Sequence, residues 1–196
     1  MEPKTTEFWR NQLPHWEVES GTYFITIRCA GSLPKAVAER VATIHRTLQA
    51  IEPASEEFRL LQRQYFLTTE KYLDAAHGFC PFREAHCCDL AVKALQSLDQ
   101  QGWQVLHYAI MPNHLHALFA TTKEANGMKI VWQRWKGSTA RAGNEILGRR
   151  GAFWQRDWFD RWMRDEAEMQ KTIAYIRNNP VKAGLVQKWE DFPWVR

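Results

Sequence analysis

Hydrophobic positions along the chain fall into segments with two different periods. Tyr23-Phe24-Ile25-Thr26-Ile27-Arg28-Cys29, rich in β-branched and aromatic residues and entered through Gly21, predicts a first strand. From Leu33-Pro34 the period lengthens. Val37, Val41, Ile44, Leu48 and Ile51 recur at steps of four and three residues, which predicts a helix with proline in its first turn and Pro53 as its stop. A second helix is predicted from Ser55 to His77, ending at Gly78, and a third from about Arg83 to Gln101, with Cys88, Ala91, Val92, Leu95 and Leu98 on one face and Gly102 after it. Trp103 to Met111 reads as the second strand, Pro112-Asn113 as a turn, and His114 to Ala120 as the third strand, which sends Leu115, Ala117 and Phe119 into the core by alternation. Met128 to Leu147 carries an apolar stripe of Met128, Val131, Trp132, Trp135, Ala142 and Ile146. Phe153-Trp154-Gln155 is the candidate fourth strand. Asp165-Glu166, suited to a helix N-terminus, open a last helix with Met169, Ile173 and Ile176 inward and Pro180 as its end. The order β, α, β, β, α, β, α predicts an α+β fold. Its centre is a ferredoxin-like (RRM-like) antiparallel sheet with helices on one face, with a long helical insertion after strand one and a trailing helix.

Composition narrows this picture. A chain of 196 residues, 45% hydrophobic and 24% charged, fills one core without requiring a second. One domain over 1–196 is expected, with a helical elaboration at about 33–101 and a tail at about 187–196. The formal charge of +4 is modest, but residues 129–164 hold nine Lys/Arg against three Asp/Glu, a local charge of +6 that leaves −2 for the remainder. Localised positive charge points to a polyanionic partner, with a solvated basic face as the alternative. The polar stretch Met1 to Glu7 lacks an apolar signal core, and no uncharged apolar run is long enough to span a bilayer, so a cytoplasmic protein without membrane contact is expected. Cys29, Cys80, Cys87 and Cys88 show no Cys-x-x-Cys spacing and read as reduced thiols. Cys80, Cys87 and Cys88 with His77 and His86 imitate a zinc cluster, but the adjacent Cys87 and Cys88 project in different directions on a helix.

The residues that carry chemistry lie in two short segments. His114 and His116, two apart on a strand, share a face about 6.6 Å apart along it, so both imidazoles can reach one metal. Tyr175 and Asn179, four apart on the last helix, also share a face. A lone tyrosine on an amphipathic helix is more often a packing residue, and Asn179 before a proline can equally be a helix cap. The conjunction of the two pairs points instead to metal-assisted tyrosine chemistry. Five of ten tryptophans lie in the basic segment. Trp132 and Trp135 belong to the apolar stripe, whereas Trp158 and Trp162, flanked by Arg156, Arg161 and Arg164, are candidates to stack on single-stranded bases, with Lys129, Arg134, Lys136 and Arg141 as further DNA contacts.

These residues resemble a known family. Leu13-Pro14-His15-Trp16, the strand Tyr23 to Arg28, the stretch Met111-Pro112-Asn113-His114-Leu115-His116 and the run Tyr175-Ile176-Arg177-Asn178-Asn179-Pro180-Val181-Lys182-Ala183-Gly184-Leu185-Val186 are similar to signatures of the REP-associated tyrosine transposases, within the single-tyrosine HUH nuclease superfamily. Trp189 and Phe192-Pro193-Trp194 resemble that family's C-terminal tail. The resemblance implies a nuclease core in which His114 and His116 hold Mg²⁺ or Mn²⁺, Asn179 adds a third ligand, and Tyr175 attacks DNA to give a 5′-phosphotyrosine. Two imidazoles suit manganese better than magnesium. It further implies single-stranded DNA and REP hairpins as partners, a place at the nucleoid through DNA, and compatibility with a monomer. The competing reading is a DNA-hairpin-binding regulator without catalysis, which gives no reason for the His pair and the tyrosine to occur together. A structural zinc protein is a more distant third.

Overall fold

A computed structural model describes residues 4–53 and 55–196. The first three residues of the polar stretch Met1 to Glu7 lie outside that range. The elements run β1 (Thr5–Arg10), β2 (Pro14–Val18), β3 (Thr22–Arg28), α1 (Lys35–Ala50), α2 (Glu56–Leu73), α3 (Ala85–Gln96), β4 (Trp103–Met111), β5 (His114–Thr121), α4 (Met128–Ile146), β6 (Phe159–Trp162) and α5 (Glu166–Lys182). The central sheet has the order β4-β5-β3-β6 with every pair antiparallel, so β3, β4, β5 and β6 with α3 and α4 make the ferredoxin-like unit. The α+β expectation holds.

β5 organises the interior. From His114 to Phe119 each residue is 0% exposed, because the sheet is covered on both sides. Leu115, Ala117 and Phe119 face α3 and α4 in a core with Ile25, Ile27, Leu95, Val131 and Trp132. Leu118 faces the opposite core, built from Phe24, Met111, α1, α2 and Ile176 of α5. Helices on one face are therefore true only of α3 and α4. The insertion and the trailing helix close over the other face, where the two histidines also point.

Four further expectations are corrected. An N-terminal hairpin, β1 with β2, precedes the strand expected to be first. The fourth strand is Phe159–Trp162, paired with β3, while Trp154 makes a single bridge to Cys29 and packs with Phe153 in the core beside α4. The third helix stops at Gln96 and runs on as a 3₁₀ turn, Ser97–Gln101, until Gly102 at φ +79° turns the chain into β4, a conformation that favours glycine. Pro180 does not end α5. Its ring is buried, and the helix closes beyond it with Ala183 N–H donating to Asn179 O and Leu185 N–H to Pro180 O. The tail runs along the free edge of β4, with Ile110 N–H donating to Trp194 O and Arg196 N–H to Tyr108 O, which covers otherwise unpaired strand groups.

A buried ion cluster ties the hairpin to β6. His15 of β2 is hydrogen-bonded through Nδ1 to Asp160 and through Nε2 to Asp157 at 3.1 Å, and Asp157 also accepts from Gln12 N–H at 2.9 Å and Leu13 N–H at 2.7 Å. Burial alone lowers the His15 pKa, yet the carboxylates of Asp160 and Asp157 raise it from 6.5 to about 9. The folded imidazolium thus holds its proton more tightly than the unfolded one. Its stabilisation, on the order of 3 kcal/mol, is complete below about pH 6.5 and lost as the pH rises through about 9. The melting temperature of the wild-type chain should accordingly exceed that of His15→Gln by several degrees at pH 6.5, and thermal melts monitored by circular dichroism should show the gap narrowing towards pH 9. A gap independent of pH would mean that His15 does not carry the charge.

Candidate metal and tyrosine site

β5 presents His114 and His116 opposite Arg28 and Thr26 of β3. Their Nε2 atoms converge to 3.1 Å, and each Nδ1 is held from behind. Asn113 donates its amide N–H to His77 O at 2.9 Å, which turns its Oδ1 towards His114 Nδ1, also at 2.9 Å. His114 Nδ1 is thereby the donor and Nε2 keeps its lone pair. Thr26 Oγ1 stands 2.8 Å from His116 Nδ1. Burial, reinforced by neighbouring His116, pushes the His114 pKa down from 6.5 to about 3, so this ring is neutral at ordinary pH.

The third member of the cluster comes from the insertion. Glu70, in the last turns of α2 and 3% exposed, stands 3.3 Å from His116 Nε2. Glu70, His114 and His116 each offer one ligand atom, all within 4.8 Å of one another. Burial opposes ionisation of Glu70, but the imidazoles of His116 and His114 hold its pKa near 2. Nothing in its spacing links Glu70 to residues 44 and 46 positions away. Its one sequence signal is its place on the inward side of α2, one turn from Phe66 and Leu73, where a carboxylate is costly unless partnered.

Tyr175 completes the group. Its hydroxyl donates to Glu70 and lies 3.4 Å from His116 Nε2, and its ring stands 5.3 Å from the His116 ring and 5.8 Å, edge-on, from Phe24. Burial and the adjacent Glu70 charge raise its pKa well above the ordinary phenol value. Asn179, one turn on, is 0% exposed, and neither its amide oxygen nor its nitrogen has a protein partner among the described residues. Glu70 Oε1 is likewise buried without a partner. Unmatched buried polar atoms are rare in native interiors. Glu70 stands with two converging imidazole nitrogens, and a mixed nitrogen and oxygen donor set of this kind suits a divalent cation such as Mn²⁺.

The DNA contacts expected from sequence scatter. Lys129, Arg134, Arg141, Arg156, Arg161 and Arg164 are exposed, and Trp162 is half-buried. Trp158 is only 5% exposed, with its ring 4.6 Å from His15. Lys136 donates to the carbonyls of Gln155 and Arg156 at 2.6 Å, and burial lowers its pKa to about 8, so it serves as an internal brace. The thiols of Cys80 and Cys88 donate to Ala76 O and Phe82 O, and none of the four cysteines is in a disulfide.

The model of the IS200-like transposase family matches residues 88–179, a range that contains His114, His116, Tyr175 and Asn179. A curated Haemophilus influenzae protein named as a REP-associated tyrosine transposase is 24% identical over 108 residues, 50% of this chain and 61% of that protein. The match thus spans about three fifths of the relative's length. The solved structure of a REP-associated tyrosine transposase bound to a REP hairpin superposes with a TM-score of 0.53 at 16% identity, covering 97% of this chain and 81% of the other. The resemblance to the REP-associated tyrosine transposases is borne out. Similarity to these transposases at the level of fold extends over nearly the whole chain, whereas the matched family range leaves out α1 and α2 and therefore Glu70. No helix among the described residues is long and apolar enough to cross a membrane.

Titration calorimetry with Mn²⁺ checks the donor set. His114→Ala with His116→Ala should abolish binding, Glu70→Gln should weaken it, and Thr26→Val, which removes only the support behind His116, should weaken it roughly 10–100-fold. Undiminished affinity in the double histidine variant would leave the cluster a packing feature.

Proposed function

We propose that this chain is a metal-dependent single-stranded DNA endonuclease and strand transferase that acts on REP-type hairpins through a 5′-phosphotyrosine intermediate. The observation that carries the proposal is the Tyr175 hydroxyl 3.4 Å from His116 Nε2, at the edge of the Glu70, His114 and His116 cluster. Similarity to the IS200-like and REP-associated tyrosine transposases supports a DNA substrate, and the solved relative is bound to a REP hairpin. In this reading 1–196 acts as one HUH-type domain with its partner at the nucleoid.

Breaking a phosphodiester requires a nucleophile, compensation for charge on the phosphoryl oxygens and alignment of the leaving oxygen. A divalent cation held by His114, His116 and Glu70, with Asn179 as an additional oxygen donor, supplies Lewis-acid charge against those oxygens. The protein contributes the rest. Glu70 accepts the Tyr175 hydroxyl hydrogen bond and so aims the phenol oxygen's lone pairs away from itself, while Phe24 and the His116 ring fix the phenol plane. Attack of the Tyr175 oxygen forms one bond to phosphorus and breaks the bond to the 3′ oxygen, which leaves as a hydroxyl. The phosphotyrosine retains the free energy of the broken bond, so rejoining by a 3′-hydroxyl needs no nucleotide cofactor. The raised phenol pKa means that proton removal must accompany attack, and the departing 3′ oxygen takes up one proton as its bond to phosphorus breaks, so the step is neutral in protons overall.

Incubation of end-labelled hairpin oligonucleotides with the protein and Mn²⁺ should give a covalent adduct stable to denaturing electrophoresis. Tyr175→Phe should abolish both adduct and cleavage while hairpin affinity changes less than about twofold, since only the attacking oxygen is lost. Cleavage by the Phe variant at the wild-type rate would remove Tyr175 as the nucleophile.

A further inference from the structure

An open groove of about 630 Å³ runs from Tyr175 between α2, β6 and α5. Its volume lies within the roughly 300–1,000 Å³ typical of sites that enclose small organic molecules. The floor is aromatic and continuous with the phenol. The rings of Phe66 and Phe159 stand 5.1 Å apart, and Phe66 is 5.7 Å from Tyr175. The rim is cationic, with Arg59 and Arg63 on one side and Arg164 and Lys171 on the other, all exposed and lining the cavity. Among the described residues none of these four makes an ion pair, unlike Arg161, which is bridged to Glu168. One wall, with both arginines and Phe66, belongs to α2, outside the range 88–179 matched by the family model.

We infer that this groove is a subsite for an unpaired nucleobase next to the scissile phosphate, so that the insertion carrying α2 is a substrate-binding element, a claim that rests on the DNA-cleaving role proposed for Tyr175. A flat apolar base with a phosphate on either side matches an aromatic floor between cationic rims, because stacking is indifferent to base identity and the rim charges track the backbone. A paired base is disfavoured, since its Watson–Crick edge is held by the complementary strand and its faces are stacked on its neighbours. α2 thereby serves two neighbouring tasks. In its first half it offers Arg59 and Arg63 to the strand, and about two to three turns later it delivers Glu70 to the histidines.

The test uses probes free of sequence requirements: fluorescence anisotropy of the full chain without divalent metal, titrated onto a twelve-residue thymidine strand and onto an abasic strand of equal length. Base stacking should make the thymidine strand bind roughly tenfold or more tightly. Phe66→Leu should reduce that ratio to below about threefold with the abasic affinity retained. Arg59→Ala with Arg63→Ala, both on exposed positions, should weaken both strands and flatten the slope of log affinity against log salt by about 1.4. Thermal melts establish that each variant is folded. A thymidine-to-abasic ratio unchanged by Phe66→Leu, a salt slope unchanged by the arginine pair, or no binding of the thymidine strand at all overturns the assignment, even where the wild-type chain still forms its Tyr175 adduct with a hairpin. The reverse result, the expected ratios without any Tyr175 adduct, would sustain the groove as a single-strand site and remove the cleavage reaction.

Discussion

A single buried carboxylate constrains the whole upper half of this structure. Glu70 is almost fully removed from water and in contact with an imidazole and a phenol, and an ionised carboxylate in such a place costs several kcal/mol unless it is matched. The imidazoles of His116 and His114 and the hydroxyl of Tyr175 provide the match, and in doing so they fix three elements relative to one another: α2, β5 and α5. Among the described residues Glu70 Oε1 and both amide atoms of Asn179 have no protein partner, and Tyr175, whose hydroxyl contacts Glu70, lines the groove. A cluster of two imidazoles and a carboxylate that keeps an unmatched buried oxygen is suited to receive a cation and poorly suited to an apolar occupant.

The two-sided burial of β5 is what makes that arrangement possible. On a strand covered by helices on one face only, His114 and His116 would look into solvent, and water would screen their interaction with Glu70 and Tyr175. Closure by α1, α2 and α5 removes that water, lowers the local dielectric and drives the His114 pKa down to about 3, so the ring is available as a neutral donor. The supports behind the rings come from the same sheet logic. Thr26 is the cross-strand partner of His116 in the β3/β5 register, whereas Asn113, at the turn that begins β5, is oriented by His77 O in the segment that follows α2.

What the sequence discloses follows from how local each signal is. Alternation in β5 and the four-residue step from Tyr175 to Asn179 are period signals within one element, and the structure brings the Tyr175 hydroxyl to His116, while Asn179 lies buried one turn further along α5. β4 and β5 end within a residue of their expected limits because Gly102 and the Pro112-Asn113 turn are strong punctuation. The misses are all tertiary. β6 was hidden because Phe153-Trp154 has more apolar character than Phe159-Asp160-Arg161-Trp162, whose Asp160 is acceptable in a buried strand only because His15 lies against it, 145 residues away. The same cluster ties the start of β2, Leu13 to His15, to Asp157 and Asp160. Pro180 reads as a helix stop, yet its burial keeps α5 going, and Asn179 stays helical and enclosed. Glu70 is the extreme case, since its role is set entirely by what α2 packs against.

The distribution of usable charge follows from the same packing. The sequence concentrates cations in 129–164, but folding removes Lys136 to brace two carbonyls and ties Arg161 to Glu168, while Trp158 disappears into the core against His15. Among the described residues, the cations that line the groove at Tyr175 without an ion-pair partner therefore come in part from outside that segment, from Arg59 and Arg63 of the insertion and Lys171 of α5. Because electrostatic attraction for a polyanion falls off within about 10 Å at moderate salt, the proposed role of the groove rests on the charges that line it, whereas Arg134 and Arg141, exposed on α4, do not line it. The helical insertion thus brings together the carboxylate that orders the site and the cations that border its entrance.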